Sequence, residues 1–164
     1  MFYLDLFQRL EEQQVRYLLV GGLAMNLHGV PRMTMDVDIA LAMDRNNVEA
    51  FVELAKKMGL QPVAPVSIES LLDLALLRSW KREKGMFAFA LKGQEAGSPT
   101  VDILIEPPID VEAALQRASK RRLKDLSVTL VSLEDLIRLK SDTGRAQDKA
   151  DIEHLQRLKI SKQP

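Results

Sequence analysis

No cysteine occurs among the 164 residues, so a disulfide framework and thiolate catalysis are both excluded. Any metal site is left to oxygen ligands and two histidines, His28 and His154, and such donors favour hard cations. Charge of one sign is missing as well. Lysine plus arginine number 23 and so do aspartate plus glutamate, so no bulk field gathers nucleic acid or anionic lipid, and any polyanion contact must be local. The first residues, Met1 to Gln14, set Phe2, Leu4, Leu6, Phe7 and Leu10 among Asp5, Arg9, Glu11 and Glu12. That is neither a signal peptide nor a membrane span, and a cytoplasmic chain with no membrane role is expected. Internal repeats, low-complexity tracts and Gly/Pro-rich linkers are lacking too. What is present is 46% hydrophobic residues in a length suited to one compact unit with its own core.

The patterning predicts helices and strands in alternation. Met1–Gln14 reads as an amphipathic helix, Tyr17–Val20 as a short strand, and Leu23–His28 as a helix broken by Gly29 and Pro31. Thr34–Ala42 alternates like a half-buried strand. Asp44 is placed to cap a helix over Asn46–Met58 that Gly59 ends. A helix is expected from Ser67 to about Arg78, then a hairpin of Met86–Lys92 and Thr100–Ile105 around the turn-rich GQEAGSP. Asp110–Lys120 is expected to be helical and Val128–Val131 a strand. Ser132-Leu-Glu-Asp135 starts a helix reaching Lys140, and Ala146–Leu158 makes the last helix. The expected fold is α+β, a small mixed, mainly antiparallel twisted sheet backed by helices. Residues 1–126 would form the core, and 127–164 a strand and helices completing the same unit.

The stretch Val20–Ile39, VGGLAMNLHGVPRMTMDVDI, carries the chemistry. Gly21 and Gly22 follow a strand and open a helix, where backbone amides can receive a phosphate, although glycine pairs more often merely permit a tight turn. Asp36 and Asp38 project to one side of the next strand. Aspartate is disfavoured in strands, and two like charges on one side repel unless water or a cation offsets them. Asp102 lies in a third apolar strand, Thr100–Ile105. If these strands are neighbours, three carboxylates converge, an arrangement suited to Mg²⁺ or Mn²⁺ and to phosphoryl-type transfer.

Taken together, the glycine pair, the Asp36-x-Asp38 pair and the later Asp102 resemble the polymerase-beta-like nucleotidyltransferase superfamily. The tail SLEDLIRLKSDTGRAQDKADIEHL, Ser132 to Leu155, is similar to that of bacterial minimal nucleotidyltransferases and abortive-infection type II toxins. The likeness covers roughly residues 15–42 and 98–156. It implies a nucleotidyltransferase fold and transfer of a nucleoside monophosphate from an NTP to an acceptor hydroxyl. Asp36, Asp38 and Asp102 would be metal ligands, Asp102 on the acceptor side. Lys140 would match a lysine near the triphosphate and Asp148 the final aspartate. Gly21 and Gly22 would cradle phosphates, with Gly22 standing where serine is usual. The relatives suggest a toxin-antitoxin or phage-defence setting, an RNA (such as tRNA) or partner protein as acceptor, and a homodimer or a cognate toxin or antitoxin as partner. A small-molecule acceptor such as an antibiotic and a non-catalytic binding module are the alternatives.

Weaker candidates carry bland readings beside the sharp ones. Arg32 and Thr34 precede the aspartate pair as phosphate contacts or structural residues, and Arg145 would reach triphosphate or pair with an acid. His28 reads as packing. The cluster Lys120-Arg121-Arg122-Leu-Lys124 reads as a solvated face with RNA contact as the alternative. Trp80 reads as a core anchor, and Met25, Met33, Met35 and Met43 as core filling.

Overall fold

In the computed structural model, which describes residues 2–141 and 143–162, the apolar tetrapeptide Tyr17–Val20 forms β1 and is buried along its whole length. β2 (Val37–Leu41) runs antiparallel beside it, with Val20 opposite Asp38. Five more strands complete one sheet: β3 (Gln61–Pro62), β4 (Ala88–Lys92), β5 (Thr100–Leu104), β6 (Ser119–Leu123) and β7 (Leu126–Leu130). Their order is β3-β4-β5-β2-β1-β7-β6, which puts β2 in the middle of the seven. The β2–β5 and β1–β7 pairs are parallel and the other four antiparallel, so the sheet is mixed and mainly antiparallel, as expected.

Helices cover the sheet where their apolar stripes demand it. α1 (Phe2–Glu12) buries Leu6, Phe7 and Leu10; Met1, included in the sequence expectation, lies outside the described residues. α2 (Gly21–Leu27) begins directly at the end of β1. α3 (Arg45–Lys57) is capped by Asp44, whose side chain accepts from the Asn47 amide, and Gly59 follows it with φ of 74°. α5 (Val111–Arg117), α6 (Leu133–Ser141) and α7 (Ala146–Ser161) complete the layer, with Ser132 Oγ accepting from the Asp135 amide at the start of α6.

Three expectations need correction. The helix expected from Ser67 to Arg78 is two pieces, a 3₁₀ turn over Ile68–Leu72 and α4 (Leu74–Lys84), because the Asp73 side chain accepts from the Leu76 amide and starts a new helix. The helix expected over Asp110–Lys120 stops at Arg117, and the basic cluster forms β6 instead, paired with β7 through a turn at Lys124, whose φ is 53°. A charged outermost strand is how sheets discourage pairing with other chains. Of the four methionines, Met25 is buried and Met43 half-buried, but Met33 and Met35 are exposed, since residues 30–36 form a loop before β2. Trp80 does anchor inward, stacking on Phe89 with ring centroids 6.4 Å apart.

Candidate active site

Parallel pairing of β2 with β5 places Asp38 directly opposite Asp102, so the two carboxyl groups share one face of the sheet. Asp36 stands just before β2, exposed, and its Oδ1 accepts from the Thr100 amide at 3.1 Å. Burial raises the Asp38 pKa to about 7, helped by the charges of Asp102 and Asp36 and opposed by Lys140. Asp102 moves the same way through burial and the Asp36 charge, against a hydrogen bond involving Thr100. Near neutral pH the pair is therefore short of positive charge. Among the described residues, no three His, Asp or Glu side chains are already gathered as a metal site, and Asp36 reaches the pair through its charge, which raises both pKa values. Two carboxylates lacking a counter-charge do fit Mg²⁺, which takes few protein oxygens and fills its remaining positions with water and phosphate.

The glycine pair is explained by close approach. Gly21 has φ of 70°, and a Cβ there would lie 2.0 Å from Asp38 Oδ2, so only glycine lets Asp38 pack against the start of α2. At Gly22 a Cβ would meet Thr34 Cβ at 2.8 Å and Oγ1 at 2.9 Å. The Thr34 side chain thus occupies the space a serine at position 22 would need.

Facing Asp38 is an ionic network, buried at Lys140, Asp148 and Asp151 and exposed at Arg145, that ties α6 to α7. Lys140 Nζ donates to Asp151 Oδ2 at 3.1 Å and lies 3.4 Å from Asp148 Oδ1. Arg145 Nε donates to Asp148 Oδ2 at 2.6 Å, and Thr143 Oγ1 donates to the same oxygen. Asp151 also accepts from Arg32 and, at 3.0 Å, from Gln147. Burial opposes ionisation of both aspartates, but these donors and the Lys140 charge outweigh it and hold both carboxyls below the usual range. Asp151 escaped the sequence reading. Its signal was there, three residues after Asp148 and beside the apolar Ile152 and Leu155, which places it on the inward side of α7.

Asp38, Gly21, Lys140, Thr143, Arg145 and Asp148 line one cleft of about 600 Å³, and the cleft continues to Phe87, Lys81 and Leu104–Pro108. Arg32 and Thr34 border it indirectly, Arg32 through Asp151 and Thr34 through Gly22. The basic cluster on β6 contributes nothing to the lining: Lys120 bonds Thr129 Oγ1 and Arg121 the Leu27 carbonyl. His28 is a packing residue, donating through Nε2 to the Val131 carbonyl, and its pKa is lowered by burial.

Sequence comparison gives no match to a protein-family model or to a curated protein. Structural comparison does. A lincosamide antibiotic adenylyltransferase, LnuA, bound to lincomycin, superimposes with a TM-score of 0.55 at 19% identity, covering 96% of this chain and 94% of that one. A nucleotidyltransferase-like protein from Paracoccidioides brasiliensis gives 0.58 at 19% identity, over 97% of this chain and 74% of that one. A Thermotoga maritima protein described as a nucleotidyltransferase, TM1012, gives 0.54 at 17%, over 98% and 92%. The chain has the nucleotidyltransferase fold. In this nucleotidyltransferase-fold protein the expected architecture is therefore met, and the Asp38–Asp102 pair lies at the middle of its sheet. No helix among the described residues is long and apolar enough to cross a membrane.

Proposed function

We propose that this protein transfers a nucleoside monophosphate from an NTP to an acceptor hydroxyl, with Asp38 and Asp102 holding Mg²⁺. The observation that carries the reading is Asp38 and Asp102 opposed on neighbouring strands, with Lys140 and Arg145 fixed across the cleft from Asp38. When bound, the cation would offset triphosphate charge and polarise the α-phosphoryl group. Lys140 and Arg145 face the β- and γ-phosphates, and Asp148 and Asp151 keep both cations oriented before substrate arrives. Because that network exists without ligand, little reorganisation is needed on binding. Asp102, one strand further from the cationic wall, takes the acceptor's proton at its carboxylate. Asp36 completes the acidic end, and Gly21 keeps Asp38 close to the start of α2.

Among RNA, a partner protein and a small molecule as acceptor, the cleft favours a small molecule. Its volume is that of a ligand pocket, and the one dense basic cluster lies on the outermost strand away from it. Two of the structural neighbours are antibiotic-modifying or antibiotic-bound by description, LnuA with lincomycin and ANT(2")-Ia with adenylyl-2"-tobramycin. The test is binding first. Titration of MgATP and the other three Mg-NTPs by calorimetry should give saturable heat with wild type and none with Asp38→Ala; equal binding by both proteins would overturn the assignment.

A further inference from the structure

Phe87 is a large ring left 67% exposed at the rim of the cleft. It is held in place: its carbonyl accepts from the Ile105 amide at 2.9 Å, and Lys81 Nζ sits 5.9 Å from the ring centroid while donating to the Glu106 carbonyl at 2.6 Å. A fixed, solvent-facing aromatic that lines a cleft is a contact surface in waiting. The adjoining wall is Leu104, Pro107 and Pro108. On the sheet face shared with Asp102 and Leu104, the opposing residues of β4 are Ala90 and Ala88, small and only half-buried, so the face beside Asp102 stays open.

The direction of attack assigns this end a role. In-line displacement at the α-phosphorus places the entering oxygen opposite the departing pyrophosphate. If the pyrophosphate leaves toward Lys140 and Arg145, the acceptor enters from the other end of the cleft, where Phe87 and Leu104 stand. That inference rests on the nucleotidyl-transfer reading. We infer that the acceptor subsite is formed by Phe87, Leu104, Pro107 and Pro108, and that it takes a hydroxyl compound presenting an aromatic or apolar face. Within this wall the one acid, Glu106, is already paired with Arg78 at 3.2 Å, and Lys81 adds a cation, so the wall binds through its apolar surface rather than through a free carboxylate. In the transfer the acceptor oxygen bonds to the α-phosphorus as the bond to the bridging oxygen of the β-phosphate breaks. Pyrophosphate leaves with that electron pair, and the hydroxyl proton passes to Asp102.

The probes are p-nitrophenyl β-glucoside and methyl β-glucoside, alike in their sugar hydroxyls and different in the aromatic face. Their affinities are measured by calorimetry on the whole chain with Mg²⁺ and α,β-methylene-ATP. The aromatic glucoside should bind about tenfold more tightly, the scale of one aromatic contact. Phe87→Ala should bring the ratio close to one, and Phe87→Tyr should keep it. A wild-type ratio near one, no binding of either probe, or a ratio unchanged in Phe87→Ala overturns the subsite. Failure of wild type to bind the ATP analogue itself overturns the nucleotidyl-transfer reading instead, so the two failures are distinguishable.

Discussion

At Asp38 the folded protein holds a carboxyl whose pKa is about 7 against roughly 3.9 in an unfolded chain. Between those values the native state binds more protons than the unfolded state, so stability falls as pH rises from about 4 to about 7 and stays reduced above that. Asp38→Asn should therefore raise the stability of the metal-free protein at pH 8 by on the order of 2–4 kcal/mol and change it little at pH 4, as urea denaturation at the two pH values would read. Added Mg²⁺ should stabilise wild type at pH 8 and leave Asp38→Asn unmoved. The glycines make a second residue-scale prediction. Gly22→Ala should cost about 1–3 kcal/mol through its clash with Thr34, and most of that penalty should vanish in a Thr34→Gly background, measured as a double-mutant cycle. Gly21→Ala should not be rescued this way, since its positive φ remains. The aspartate pattern was legible from spacing alone. That Thr34 fills the space beside Gly22 was not, because residues 30–36 form a loop whose path no periodicity reveals.

Long apolar periodicities placed α1, α3 and α6 correctly, because each turns a stripe that the 3.6-residue repeat displays toward the core, whereas α7 buries Leu155 together with the charged Asp148 and Asp151. β6 was unreadable for the opposite reason. Ser119-Lys-Arg-Arg-Leu123 has only one apolar residue, and its strand conformation comes from pairing with β7. The α6–α7 junction is where the elements meet the chemistry. Asp151→Ala would leave Lys140 and Arg32 short of a buried partner and should destabilise the protein by about 3 kcal/mol. Lys140→Met in addition should recover part of that loss, since it removes the stranded charge. Thermal denaturation of the two single variants and the double variant reads both effects. At α3, Asp44→Ala removes the cap on the Asn47 amide and should cost about 1 kcal/mol.

Across the whole molecule, one sheet order explains why residues far apart in sequence converge. β2 lies between β5, which brings Asp102 beside Asp38, and β1, which leads into α2 at Gly21, where the chain abuts Asp38, while α6 and α7 present the cationic wall. The three acidic positions could be read before the fold was known. The opposing wall could be named only in part, as Lys140, Arg145 and Asp148, because Asp151 and Thr143 join it through packing and hydrogen bonds. The measurement closest to the central claim uses ATP labelled either at the α- or at the γ-phosphate, incubated with Mg²⁺, the protein and a small-molecule extract. Nucleotidyl transfer predicts that α-label alone enters a new product, with one pyrophosphate released per label and neither seen with Asp38→Ala. Label entering from the γ-phosphate, or α-label incorporation that persists in Asp38→Ala, would contradict it.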